Sequence, residues 1–240
     1  MGTFHRYRTA WSRLHRSSGF GVHSPFAYKF ITCVLRERLP YYAYAELRIL
    51  RRGVIAATSH LRRHPRIISY KNAKMLFRIV NYFNPRHILQ LGTSYGVSSA
   101  CMLSVSRQSH LTLYEPHLER YPVVAHVLTP LMNRIACYDD LALTIHDYRA
   151  ALAPDEHPFV LINDLPHGND DYQSAWQLVQ SVLHTQGVIV LRNLSRNDLM
   201  KQLWLNAKAE ATYGQIFTNE KLAVVIANPK LQREDFLLWF

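Results

Sequence analysis

Ile88-Leu89-Gln90-Leu91-Gly92-Thr93-Ser94-Tyr95-Gly96-Val97-Ser98-Ser99-Ala100 carries a strand into a helix through two glycines. Gly92 lets the chain turn sharply as it leaves the strand. Gly96 lets the following helix pack close to the sheet and to a ligand. Thr93, Ser94 and Ser98 place hydroxyls and backbone N–H groups at the same turn. The spacing is neither the G-x-G-x-x-G of a dinucleotide site nor the Gly-Lys-Ser/Thr of a P-loop, which argues against NAD and against ATP hydrolysis.

Downstream of this turn, strands and helices alternate. Short apolar runs at Ile88–Leu91, Leu111–Tyr114, Leu141–Ile145, Phe159–Ile162 and Val188–Leu191 have the length and composition of parallel strands buried on both faces. Helical patterns fill Val97–Ser106, Leu118–Met132 and Asp171–His184, the last with Ala175, Trp176, Val179, Val182 and Leu183 as its stripe. The alternation predicts a doubly wound, mostly parallel α/β sheet. Tyr213–Phe217 and Leu222–Ala227, separated by Thr218-Asn219-Glu220-Lys221, predict an antiparallel hairpin at the end. The terminal Phe236-Leu237-Leu238-Trp239-Phe240 reads as packing on the sheet edge.

Upstream, helical periods dominate. Ser24-Pro25 starts one helix, with Phe26, Phe30 and Val34 on one face. Tyr42–Val54 predicts a second, with Ala45, Ile49 and Leu50 inward, and Tyr70–Phe83 a third, with Ala73, Leu76, Phe77 and Val80 inward, ended by Asn84-Pro85. Residues 1–69 are therefore expected to form a helical basic cap and residues 70–240 the α/β domain.

Carboxyl ends of parallel strands form the ligand crevice in such sheets. Glu115 ends the second strand 23 residues after Gly92, close to the ~20 at which an acid meets ribose hydroxyls. The third strand leads to Asp147, a candidate for the rim of an adenine site, with Asp140 as its rival. The fourth leads to Asp164 in Asn163-Asp164-Leu165-Pro166-His167-Gly168, where a substrate would lie and where His167 could act as a base.

The chain has 240 residues, 48% hydrophobic and 19% charged, which excludes wholesale disorder and fibrous repeats. No apolar run approaches the ~20 residues of a membrane span, and the basic N-terminus lacks the apolar core of a secretory signal. Cys33, Cys101 and Cys137, odd in number and far apart, read as small buried thiols of a reducing, cytoplasmic compartment. Net charge is +11 but uneven: residues 1–88 carry +15 and the remainder −4. Arg48, Arg51, Arg52, Arg62, Arg63 and Arg66 are the densest basic stretch. That asymmetry suggests a basic face, suited to an anionic partner or to solubility. No RNP, helix-turn-helix or zinc-finger pattern, and no Asn-Pro-Pro-Tyr after the fourth strand, points to nucleic acid.

Gly92-Thr93-Ser94-Tyr95-Gly96-Val97-Ser98 resembles the glycine loop of class I S-adenosylmethionine-dependent methyltransferases of the catechol and caffeoyl-CoA O-methyltransferase branch. Gly21-Val22-His23-Ser24-Pro25-Phe26, Tyr41-Tyr42-Ala43-Tyr44 and the arginine-rich helix are similar to a group of small bacterial methyltransferase-like proteins. The resemblance covers nearly the whole chain and implies a Rossmann-like, seven-stranded sheet with a reversed last strand. It also implies S-adenosylmethionine as cofactor, held by Gln90, Gly92, Thr93, Ser94, Gly96, Ser98, Glu115 and Asp147, with Asp164 and His167 at the acceptor. Two departures stand out. Gln90 replaces the acid that holds the methionine amino group in relatives, and Arg192-Asn193 stands where relatives carry a metal-ligating acid, so no metal is expected. Two functions are expected: metal-independent methylation, on oxygen, of a small acceptor, or a non-catalytic binding module that uses its basic N-terminal face for an anionic partner.

Overall fold

The computed structural model describes residues 13–61, 67–116, 121–165 and 169–240. Arg62, Arg63, Arg66, Leu118 and His167 lie outside the described residues. After helix α1 (Pro25–Phe30), which widens into a π turn over Ile31–Leu35, come α2 (Ala43–Ala57) and α3 (Tyr70–Phe83). The alternating part then runs β1 (His87–Leu91), α4 (Val97–Leu103), β2 (His110–Tyr114), α5 (Tyr121–Leu128), β3 (Ile135–Tyr138), α6 (Leu141–Ala151), β4 (Phe159–Ile162), α7 (Asn169–His184), β5 (Val188–Arg192) and α8 (Asp198–Glu210). It closes with β6 (Gln215–Thr218), β7 (Leu222–Ile226) and β8 (Glu234–Leu237).

The strands form one sheet in the order β3-β2-β1-β4-β5-β7-β6-β8. β1 to β5 are parallel, and β7 runs antiparallel to both β5 and β6. The expected seven strands become eight, because Glu234–Leu237 adds a parallel edge to β6. Its register buries Phe236, Leu238 and Phe240 and leaves Trp239 half exposed.

Each face of the sheet has its own core. Ile88, Leu111, Phe159, Val188 and Val190 pack under α1 to α5, whereas Leu89, Leu91, Val160, Ile162, Ile189 and Leu191 pack under α6 to α8. The alternation of side chains in a strand produces this division, and burial on both faces is why these strands read as unbroken apolar runs. The N-terminal helices share the first core directly: Phe30 sits 4.8 Å from Phe217 of β6, ring centre to ring centre. Ser24 caps α1 by accepting from the Ala27 N–H (3.2 Å), and its Oγ also accepts from Gln215 Nε2 of β6 (2.8 Å).

Three local expectations are corrected. Leu141–Ile145 is not the third strand but the start of α6. Asp140 caps that helix by accepting from the Leu143 N–H at 2.7 Å, and Leu141, Ile145 and Tyr148 lie at helical spacing toward the sheet. The strand is Ile135–Tyr138 instead. In α2 the inward residues are Ala43, Tyr44, Leu47 and Val54, and Ala45 and Ile49 face solvent. The Tyr44 ring settles against Phe77 of α3 at 5.7 Å, which fixes the helix's rotation. Of the three thiols, Cys101 is buried and pushed up to about 12 by that burial, Cys137 is half-buried, and Cys33 is exposed.

Candidate functional site

The strand order reverses between β1 and β4: the chain moves from β1 out to β2 and β3, then returns to the other side of β1. A crevice outside the carboxyl ends at such a point is where open α/β sheets bind ligands. Gly92 leaves β1 and Asn163-Asp164 leave β4 at this crevice, one strand apart.

Gly92 (φ +77°), Ser94 (φ +50°), Tyr95 (φ +60°) and Gly96 (φ +79°) all adopt left-handed conformations. For the two non-glycine residues this costs of order 1 kcal/mol each, so the surroundings must hold the turn. Glu115, 1% exposed at the end of β2, accepts from the Thr93 N–H (3.3 Å) and from the Thr93 hydroxyl. The Gly92 carbonyl accepts from Gln90 Nε2 (2.6 Å) and Asn163 Nδ2 (2.7 Å). Ser94 Oγ accepts from the Ile68 N–H (3.1 Å), so the segment leading into α3 lies against the turn. β2, β4 and the N-terminal region therefore converge on one loop.

The structure sorts the predicted residues. Gln90, Gly92, Thr93, Ser94, Ser98 and Glu115 are brought together, with Asp164 beside them. Gln90 is fully buried. Its Nε2 also donates to Ser98 Oγ (2.9 Å), and its Oε1 accepts from Ser99 Oγ (2.9 Å). Its amide is spent on the turn, so in this conformation it supports the loop rather than presenting itself to a ligand. Ser98 is likewise buried and donates to the Thr93 carbonyl (3.0 Å). Gly96 faces helix α5: a Cβ there would lie 3.0 Å from Val127 Cγ1. Asp147 is not at the crevice rim. The misread third strand moves it into α6, where it accepts from the Tyr138 hydroxyl. Asp140, its rival, does stand just after β3. Together with Glu115, Asp139 and Asp171 it adds to the upward push that burial gives the Tyr114 phenol. That side of the crevice is thus acidic.

Asp164 packs against Gly92 and pairs with Arg196. A Cβ on Gly92 would fall 3.2 Å from Asp164 Cβ and 3.4 Å from its backbone N while φ stays at +77°. Gly92→Ala is expected to lower stability by about 1–2 kcal/mol, read as a lower urea midpoint at unchanged slope.

Sequence reading undervalued Asn163. Its Oδ1 accepts from Arg192 Nη1, and its carbonyl accepts from Asn193 Nδ2 (2.9 Å). Strand-end position was the signal that could have found it. Arg192 is 5% exposed, and burial pulls its guanidinium down to about 10. A separate cavity of about 540 Å³ opens at the opposite, amino-terminal edge of β4 and β5, lined in part by Phe26, Phe83, Arg86, His157 and Gln186. It lies away from the strand-end groups described above.

No family model matches the chain, and no curated protein does. Solved structures do. The O-methyltransferase from Bacillus cereus in complex with SAH has a TM-score of 0.56 at 16% identity, covering 81% of this chain and 96% of that one. The SAH-bound methyltransferase PaMTH1 of Podospora anserina has a TM-score of 0.56 at 11% identity, covering 79% and 98%. The O-methyltransferase TomG of Streptomyces achromogenes, in complex with SAM and involved in tomaymycin synthesis, has a TM-score of 0.54 at 14% identity, covering 79% and 92%. At these identities the likeness is one of fold, and the chain is built on the Rossmann-like scaffold of these methyltransferases.

Proposed function

We propose that this protein binds S-adenosylmethionine at the carboxyl end of β1 and methylates an oxygen of a small acceptor without a metal ion. The observation that carries this reading is the Gly92 turn at the switch point, tied through Thr93 to the carboxylate of Glu115. The donor set fits an adenosine ligand. A strand-end carboxylate suits a ribose diol, the turn offers hydroxyls and N–H groups, and its sequence carries no lysine or arginine of the kind a pyrophosphate would call for.

When bound, the cofactor supplies a methyl group on a sulfonium sulfur. The protein's share is placement and exclusion of water. In this reading Glu115 orients the ribose, and Thr93 and Ser94 line the loop. Gln90 and Ser98 keep the loop in shape from beneath. Asp140 is better placed than Asp147 for the adenine rim. Asp164 is an orienting group at the acceptor, since an ion pair with Arg196 suits it poorly to shuttling a proton; His167 remains the proposed base. An amide and a guanidinium at the ends of β4 and β5 are poor ligands for a hard cation, which supports a metal-free reaction. Residues 1–69 act as a cap whose segment before α3 touches the loop. The cap's basic face is left for an anionic partner. Among the described residues no helix is long and apolar enough to cross a membrane.

Thermal unfolding with increasing S-adenosylmethionine and S-adenosylhomocysteine tests the reading. Ligand that binds only the folded form raises the melting temperature as its concentration passes the dissociation constant. No rise at millimolar ligand overturns it. Transfer of a labelled methyl group to a panel of catechols and acyl-CoA thioesters then identifies the acceptor.

A further inference from the structure

Among the described residues, Arg192 is the most poorly compensated of the buried charges. It ends a strand whose other residues, Val188–Leu191, are all apolar. Its guanidinium donates from Nη1 to a neutral amide, Asn163 Oδ1. Among the described residues no carboxylate forms an ion pair with it. Arg36 and Arg51 also donate to one neutral oxygen each but are only partly buried, and several other arginines are held differently. Arg78 donates to three oxygens, Arg134 to three carbonyls, and Arg13, Arg196 and Arg233 pair with carboxylates.

A buried charge without a partner costs several kcal/mol, and an apolar side chain of similar volume at such a position is commonly the more stable choice. Strand packing does not call for a cation here. Arg192 leaves β5 beside the end of β4, and its guanidinium reaches the Asn163 amide, whose Nδ2 donates to the Gly92 carbonyl at 2.7 Å. One amide therefore separates the cation from the turn. The crevice is therefore polarised, with carboxylates around Tyr114 on the β2–β3 side and a lone cation on the β5 side. The next arginine along the chain, Arg196, is already paired with Asp164.

We infer that Arg192 is the anion-binding residue of the acceptor site, and that the acceptor is a small molecule bearing a singly charged oxygen group, a carboxylate or a phenolate, which seats against the guanidinium beside Asn163. One planar fork, with no second available cation beside it among the described residues, suits a monoanion better than a phosphate dianion. The inference rests on the proposed methyltransferase reading for the place of the acceptor, and on the unbalanced charge for its chemistry.

Isothermal titration of the full chain, with S-adenosylhomocysteine present, compares benzoate, 4-nitrophenolate, inorganic phosphate and neutral benzamide. Benzoate or 4-nitrophenolate is expected to bind, with benzamide and phosphate at least tenfold weaker. Whichever of the two monoanions binds identifies the group. Arg192→Met is expected to weaken that binding by about thirtyfold, the loss typical of removing one partner of a buried charge pair. Its melting temperature without ligand should match or exceed the parent's, because relief of the unbalanced buried charge outweighs the one bond lost to Asn163 Oδ1. Arg192→Lys, which keeps the charge and loses the fork, should fall between the two. Undiminished binding to Arg192→Met, equal binding of benzamide, or a lower ligand-free melting temperature in that variant overturns the inference. S-adenosylhomocysteine binding without binding of either monoanion overturns it alone; failure of S-adenosylhomocysteine to bind overturns the function it rests on.

Discussion

Glu115→Ala is expected to erase most of the thermal stabilisation conferred by S-adenosylhomocysteine. At a ligand concentration a hundred times the dissociation constant, binding adds about 2.7 kcal/mol to the stability of the parent. For a chain of this size that is a rise of roughly 5–10 °C. A carboxylate that takes both ribose hydroxyls contributes two charge-assisted hydrogen bonds at about 1.5–3 kcal/mol each. Losing both weakens binding about a hundredfold or more. The same ligand concentration then sits near the variant's dissociation constant, where the gain is about 0.4 kcal/mol, roughly 1 °C. The readout must be the increment with ligand and not the melting temperature itself. Glu115 is buried and accepts two bonds from Thr93, so the variant is expected to melt lower even alone. Glu115→Gln separates the two roles: it keeps an acceptor for Thr93, loses the charge, and should cost about tenfold in affinity. An increment equal to the parent's in both variants would make Glu115 a brace for the glycine loop and nothing more.

The parts of the fold that could be read from the sequence are those in which local pattern and tertiary environment agree. β1, β2, β4 and β5 fall within a residue of their apolar runs because strands covered on both faces are mostly apolar, with Gln90 and Thr112 as interior exceptions. α3 spans Tyr70–Phe83 as expected, since Ser69 caps it and Asn84, at φ 45°, stops it in a left-handed conformation. Misreadings arose where two local patterns compete. Ile135-Ala136-Cys137-Tyr138 is a half-buried edge strand with a weak apolar signal, and Leu141-Ala142-Leu143-Thr144-Ile145 is the more strand-like string. Only the Asp140 cap and the i, i+4, i+7 placement of Leu141, Ile145 and Tyr148 mark it as a helix. In β8, Glu234 and Asp235 disguise an edge strand.

The candidate site divides in the same way. Gly92, Thr93 and Glu115 are legible because strand-end position follows from the alternation itself. The use of Gln90 is not: its amide is claimed by Ser98 and Ser99, in the first turn of α4, and by a carbonyl that it shares with Asn163 from another strand. Adjacency of β1 and β4 is a fact of topology, and no local window contains it. The same holds for Arg192, whose residue type could be noted in sequence but whose lack of a counter-ion could not.

Arg78→Ala is expected to destabilise the whole molecule by about 3 kcal/mol or more. In sequence Arg78 is one of the 17 basic residues that give residues 1–88 their charge, yet it is not on the surface. Its Nε donates to the Val34 carbonyl (2.5 Å), Nη2 to the Leu35 carbonyl (2.9 Å) and Nη1 to the Tyr44 hydroxyl (3.2 Å). The first two are carbonyls at the end of the π turn that closes α1, the kind of group that a helix end leaves without an internal partner. One side chain of α3 thus fastens α1 and α2 to the face of the sheet. Removing it strands the two carbonyls and takes one partner from the Tyr44 hydroxyl in a core shared with β1, β4 and β6, so the loss should appear as a single cooperative shift in urea midpoint with unchanged slope. Arg78→Met, which keeps most of the volume and none of the bonds, should recover only the packing share of that loss. Because Ile68, on the segment leading into α3, donates to Ser94 in the glycine loop, conditions that leave Arg78→Met folded should still show weaker cofactor binding. A loss of unfolding free energy below about 1 kcal/mol in Arg78→Ala would mean that aromatic packing, chiefly Tyr44 on Phe77 and Phe30 on Phe217, holds the cap without the arginine.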